Sequence, residues 1–206
     1  MGMRWFLDGV AGLGRPPHPR IAGDGLTLRA PEMADFPGWV ALREKSRAFL
    51  APWEPLWPED DLSRAAFRRR LDRLREEVAE ETGFSFLILA GESEELVGGI
   101  TLSNIRRRAA QTGTLGYWMG QPFAGQGHMT RAVRLLSDFA FRTLDLERLE
   151  AACLPENAAS IRVLEKAGFR REGYARAYLA IAGRRRDHVL YGLLKSDLFP
   201  SNSAAS

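Results

Sequence analysis

Apolar residues recur along this chain with two different periods, and the alternation between them predicts an α/β order. Leu26, Leu28 and Ala30 alternate with polar neighbours, a short strand ended by Pro31. Met33, Phe36, Trp39, Val40 and Arg43 then take helical spacing. A second helix is expected from a cap at Asp61 or Ser63, with Leu62, Ala66, Leu71, Leu74 and Val78 as its apolar stripe. Residues 83–90, 96–103 and 113–119 have strand character, and the turns between them (GESEE, IRRRAAQ) are short enough for antiparallel hairpins. Helical spacing returns at Ala132, Val133, Leu136, Phe139 and Ala140. An apolar strand over 148–154 precedes a helix carrying Ile161, Val163 and Leu164, which stops at Gly168. Two strands between 169 and 194 turn at Ala182-Gly183. This order predicts an α/β fold: a mixed, mostly antiparallel central sheet flanked by helices.

The ends are different. Residues 1–23 are rich in Gly, Pro and Arg (GRPPHPR) and read as a loosely held arm, and residues 198–206 as a flexible tail. The apolar patch MRWFLDGVAGLG is too short and too broken for a signal peptide or membrane span, so no membrane partner is expected and the cytoplasm is the default. A single cysteine, Cys153, excludes an internal disulfide and fits a reducing compartment. The net charge of +3 and pI of about 9.3 favour acidic ligands without demanding DNA or another nucleic acid. Arg68–Arg70 and Arg73 alternate with acids further on, as a solvated face or an RNA contact would.

Between the third strand run and the next helix lies QPFAGQGHMT. Gly125 and Gly127 leave room for a ligand against bare backbone. The N–H groups near His128, Met129 and Thr130 begin a helix and have no partner within it. Unpaired donors at the positive end of a helix dipole suit a phosphate or pyrophosphate. The loop lacks the Lys-Ser/Thr of a nucleotide P-loop and the third glycine of the dinucleotide fingerprint, so the phosphorylated cofactor is neither ATP nor NAD.

Other candidates carry two readings each. Trp53 and Trp57, in APWEPLWPEDD, either line a substrate mouth or tuck onto the core. Cys153 is either a covalent nucleophile or, lacking an adjacent His, a buried packing thiol. No Cys/His/Asp cluster has metal-ligand spacing, so no metal is expected.

The element order and glycine loop resemble the GCN5-related N-acetyltransferases (GNAT) over roughly residues 24–197. Two further segments are more specific. PENAASIRVLEKAGF, residues 155–169, is similar to the P-x-N-x-x-S…K-x-G-F signature of the ribosomal-protein alanine acetyltransferases of RimJ/RimL type. GYARAYLAIAGRRRDHVL is similar to the RimJ branch at Gly173, Tyr174, Ala175, Tyr178, Leu179, Ile181, Gly183, Arg186, Asp187, His188 and Leu190. The resemblance implies acetyl-CoA as co-substrate, its pyrophosphate wrapped by Gln126, Gly127, His128, Met129 and Thr130. It implies two strands splayed apart, with backbone of Tyr117, Trp118 and Met119 pairing with the pantetheine amides as an added strand would. A bulge near Gly120 is expected where pairing ends.

Many relatives place a Glu base five residues before the helix-capping Asn and a Tyr acid seven residues after it; here Ala152 and Leu164 stand there. The RimJ/RimL resemblance offers Ser160 as the group that protonates the departing thiolate, against a plain role in the first helical turn. Asn157 would cap the helix and face the pantetheine arm. Glu150 is the first candidate for a water-mediated base; Asp187 and His188 are the second, His188 being equally suited to a structural hydrogen bond.

The implied activity is acetylation of a protein N-terminus, most simply the N-terminal alanine of a ribosomal protein. An α-amine has pKa ~8 against ~10.4 for lysine, so roughly a tenth of it is already neutral at pH 7 and no strong base is needed. Weak attraction to ribosomal RNA would suit the basic surface. One alternative is a small amine such as an antibiotic or polyamine, drawn by Glu54, Glu59, Asp60 and Asp61; another is a non-catalytic acyl-CoA sensor or ribosome-binding factor. A monomer or homodimer is expected.

Overall fold

The computed structural model describes residues 5–6 and 18–199. In chain order its elements are β1 (Trp5–Phe6), β2 (Arg20–Gly23), β3 (Leu26–Arg29), α1 (Phe36–Lys45), α2 (Arg47–Leu50), α3 (Arg64–Ala79), β4 (Phe84–Ala90), β5 (Glu95–Arg106) and β6 (Thr112–Met119). These are followed by α4 (His128–Arg142), β7 (Arg148–Cys153), α5 (Ala158–Lys166), β8 (Arg170–Ile181), β9 (Arg184–Leu194) and α6 (Lys195–Leu198). Among the described residues nine strands form one sheet in the order β1-β2-β3-β4-β5-β6-β7-β9-β8. Every neighbouring pair is antiparallel except β6 and β7. A parallel pair needs a crossover, and α4 supplies it.

β4 shows why its sequence reads as an almost unbroken apolar run. Phe84, Phe86 and Ile88 join the main core with α4, through Leu136, Phe139 and Ala140. Leu87 and Leu89 point the other way, into a second cluster with Trp39 of α1 and with Phe67 and Leu71 of α3. A strand covered on both faces has no polar side to alternate. The turn at Ala182 and Gly183 carries positive φ at both residues (47° and 81°), the requirement of the two-residue hairpin turn that matches strand twist. Ser63 caps α3, its hydroxyl accepting from the Ala66 N–H at 3.0 Å.

Three expectations change. The sheet reaches into the predicted arm, because Arg20–Gly23 pairs with β3 and with β1. His18 of the arm stands edge-on to Phe86 at 4.7 Å, while residues 1–4 and 7–17 lie outside the described residues, as do residues 200–206 of the predicted tail. Leu198 and Phe199, placed in that tail by sequence, pack against the main core. The bulge does not fall near Gly120: β5 and β6 pair regularly through Met119, and the Gly120 N–H donates to the Val97 carbonyl at 2.8 Å. The irregularity of that pair sits at its other end, between Ser103 and Arg106.

The proline- and tryptophan-rich loop is held by charge. Arg43 forms a two-pronged ion pair with Glu54, both contacts 2.8 Å, and its side chain is 8% exposed. Trp57 covers the guanidinium at 4.1 Å and donates its indole N–H to Glu54. Glu54→Ala would leave that buried cation unpaired, so it is expected to cost about 3–5 kcal/mol of stability, measured by urea unfolding.

Candidate active site

β6 and β7 pair from Thr112↔Arg148 only as far as Leu115↔Ala151. Beyond that point they part, and the β7-facing edge of residues 116–119 has no strand partner among the described residues. The gap opens into a cavity of about 710 Å³ lined by both strands, the glycine loop, the start of α4 and one face of α5.

At one end lies the glycine loop. Gly125 and Gly127 both have φ of 79°, and a Cβ at either would meet nothing within 4 Å, so the loop encloses open space beside bare backbone. Gly127 begins α4 with no side-chain cap; the first closing bond runs from the Arg131 N–H to the Gly127 carbonyl at 3.2 Å. The N–H groups of His128, Met129 and Thr130 precede that bond and face the cavity end. Arg162 and Lys166, one turn apart on α5, line the same cavity behind Ala158 and Ala159. A backbone cradle, a helix N-terminus and two cations fit the phosphates of a CoA, and the unpaired β6 edge fits its amides.

The other end brings together groups from β6, β7, α5 and β9. Asn157 caps α5, its Oδ1 accepting from the Ser160 N–H at 3.0 Å. The Ser160 hydroxyl lies 2.8 Å from the Tyr117 phenol oxygen, which also stands 3.4 Å from the Ser160 carbonyl. Ser160 is also in hydrogen-bonding reach of the Cys153 thiol. Burial pushes the Tyr117 phenol far above its usual range and the Cys153 thiol upward as well. A protonated, buried thiol is a poor nucleophile, which favours the packing role for Cys153. His188 is 3% exposed, lines the cavity, and its Nδ1 sits 3.0 Å from the Arg186 carbonyl. A carbonyl only accepts, so Nδ1 carries a proton, and in the neutral ring the lone pair is then on Nε2.

Of the residues singled out from sequence, Tyr117, Trp118, Met119, Gly127, His128, Met129, Thr130, Asn157, Ser160 and His188 line one cavity. Three candidates do not. Glu150 lies before the strands part and is held by Arg148 at 3.1 Å and Arg106 at 3.3 Å, outside the lining. Gln126 is also outside it; its side chain braces the loop, donating to the Pro122 carbonyl and contacting His128. The His128 ring is engaged too, with Arg131 at 2.9 Å on Nδ1, and burial and that charge lower its pKa. Asp187 holds the edge strand rather than the cleft, accepting from the Tyr174 hydroxyl and the Ala177 N–H, both at 2.7 Å. Sequence reasoning missed the Tyr117 side chain, Arg162 and Lys166. For the last two, the spacing Ala158–Arg162–Lys166 was the available signal.

A second cavity of about 740 Å³ lies against β4, β5, α1 and α3 and shares Gly116, Tyr117 and Trp118 with the first. Trp57 faces this second space, whereas Trp53 lines the first. Three of the four acids near the loop are matched by arginines: Glu54 with Arg43, Asp60 with Arg69 and Asp61 with Arg70. Arg70 is half-buried over Trp39 at 4.8 Å, and that desolvation lowers its pKa, so it is not part of a solvated face.

Residues 25–170 match the acetyltransferase (GNAT) domain model. The chain is 34% identical to the probable N-acetyltransferase YjcK of Bacillus subtilis, over 86% of this chain and 98% of that protein. It is 32% identical to the ribosomal protein uS5-alanine N-acetyltransferase of Escherichia coli, over 89% and 95%. Among solved structures it is similar to Mycobacterium smegmatis RimJ in complex with CoA-disulfide, with TM-score 0.80, 31% identity and coverage of 84% and 83%. No helix among the described residues is long and apolar enough to cross a membrane. With a splayed strand pair, a glycine-cradled helix start and these relatives, the chain belongs to the GNAT N-acetyltransferases, an acetyl-CoA-using family, alongside the ribosomal-protein alanine acetyltransferases of RimJ/RimL type.

Proposed function

We propose that this enzyme acetylates the α-amine at a protein N-terminus, with the N-terminal alanine of a ribosomal protein as the acceptor and the cytoplasm as its setting. The observation that carries this reading is the chemistry at the reaction end of the cleft: two hydroxyls, one imidazole and, among the described residues, no unpaired carboxylate. Glu54 and Glu156 line the cavity, yet each is paired with an arginine, Arg43 and Arg186 respectively. Such a site suits an amine of pKa ~8 better than a lysine of ~10.4. The uS5-alanine relative supports the same acceptor class. The paired acids argue against a polycation pocket, and the intact Ser160 and Asn157 argue against a sensor without activity.

When bound, acetyl-CoA supplies an electrophilic acetyl thioester. The glycine loop and the α4 start hold its phosphates, with Arg162 and Lys166 opposite. Backbone N–H groups near Met119 are placed to polarise the carbonyl oxygen. His188 Nε2 accepts the proton that the attacking amine sheds, directly or through one water, in the role first considered for Glu150. Ser160 gives its hydroxyl proton to the departing sulfur.

The acceptor reading is tested by following CoA release with alanine-starting peptides, the same peptides blocked at the α-amine but bearing lysine, and a panel of small amines. Turnover confined to free α-amines is the expected result; turnover only with small amines would replace the acceptor. For the base, His188→Asn should lower kcat/KM about 10- to 100-fold at neutral pH. A pH–rate profile should then show partial recovery as pH rises through the amine's own pKa of ~8.

A further inference from the structure

Ser160 by itself is a poor proton donor. An aliphatic hydroxyl is about as weak an acid as water, whereas a thiol is far stronger, with pKa ~8.5. Transfer from Ser160 alone would therefore leave an alkoxide in an apolar cleft. The tyrosine that relatives place on the helix is absent: Leu164 stands there, 1% exposed in the core and outside the cavity lining. A phenol reaches the same hydroxyl from another element. Tyr117, on the free end of β6, puts its oxygen 2.8 Å from Ser160 Oγ and lines the same cavity.

We propose that Tyr117 is a positioning residue for the acid step: its phenol backs Ser160, so that the proton reaching the departing sulfur is replaced on Ser160 from Tyr117. This rests on the acetyltransferase reading above. As the carbon–nitrogen bond forms, the nitrogen's surplus proton goes to His188 Nε2. As the carbon–sulfur bond breaks, its electron pair stays on sulfur, the Ser160 proton passes to that sulfur, and the Tyr117 proton passes to Ser160 Oγ. The negative charge then rests on the phenol oxygen until solvent reprotonates it, and His188 returns its proton to solvent, so protons balance. Burial keeps the phenol protonated over the working range, so the donor is loaded when each cycle starts.

Tyr117→Phe keeps the ring and the β6 backbone while removing one oxygen. We expect kcat to fall on the order of 10- to 100-fold with the KM for acetyl-CoA within about twofold. Added to Ser160→Ala it should cost nothing more, because two groups in one relay are not additive. A readout apart from activity is fluorotyrosine at position 117 followed by fluorine NMR: CoA should shift its resonance in the parent protein and not beside Ser160→Ala. A polyfluorinated tyrosine at this position, a far stronger acid than tyrosine, should bring into the working range a high-pH fall of kcat that the parent lacks there, which decides the matter even if Tyr117→Phe folds poorly. A Tyr117→Phe enzyme with unchanged kcat, or a polyfluorinated tyrosine that leaves the pH profile unchanged, overturns the proposal and leaves the acceptor reading intact. If the parent protein released no CoA with any amine or with water, both would fall together.

Discussion

Ser160→Ala is expected to lower kcat by about a hundredfold or more, equivalent to ~2.7 kcal/mol of lost transition-state stabilisation, while acetyl-CoA affinity changes by less than about threefold. The local geometry makes this a clean substitution. The cap of α5 uses the Ser160 backbone N–H, which donates to Asn157 Oδ1 at 3.0 Å, and alanine retains that bond. What alanine removes is one hydroxyl, together with its contact to Tyr117 and its reach to Cys153. Steady-state kinetics with an alanine-starting peptide, alongside calorimetry with CoA, separate turnover from binding. A variant with normal kcat would reduce Ser160 to a first-turn helix residue.

Gly127→Ala should have the opposite signature, with CoA binding weakened about a hundredfold or more. Two costs combine. At φ of 79° the new side chain would be in the left-handed region, where an L-residue loses roughly 1–2 kcal/mol. Its Cβ would also enter the open space at the α4 start, which is where a phosphate would lie against the His128, Met129 and Thr130 N–H groups. Gly91→Ala separates the two costs. Gly91, after β4, has φ of 71° and likewise nothing within 4 Å of an added Cβ, but it is not in the cavity lining. Both variants should lose a few degrees of melting temperature; only the loop variant should lose CoA. Equal CoA affinity in the two would remove the phosphate role from the loop.

The candidate site was legible wherever a residue's role comes from its own neighbours in the chain. The glycine loop, the Asn157 cap and the helix carrying Ser160 are all defined within a few residues, by conformational freedom at glycine and by orphan N–H groups at helix starts. Glu150 was misplaced because its distance from the point where β6 and β7 part depends on register, and the last pair is Leu115↔Ala151. One residue further along the strand, the backbone begins to line the cavity. The acidic loop was misread for a similar reason. Glu54 and Asp61 look like an open acidic surface in sequence, but Arg43 and Arg70 fold onto them from α1 and α3.

What the sequence by itself determined is most of the elements between residues 26 and 194, the glycine loop that a phosphorylated ligand would need, and the turn at Ala182-Gly183. Each follows from local sterics and from the period of apolar residues. Only the tertiary structure decided that the phenol of Tyr117 meets a hydroxyl 43 residues away, that Arg162 and Lys166 line one cavity with the glycine loop, and that the His188 Nδ1 donates to the Arg186 carbonyl. Those relations depend on how β6, β7 and β9 align and where the first two part. Register and splay are set by the packing of the whole sheet on α4 and α5, and no short stretch of chain encodes them.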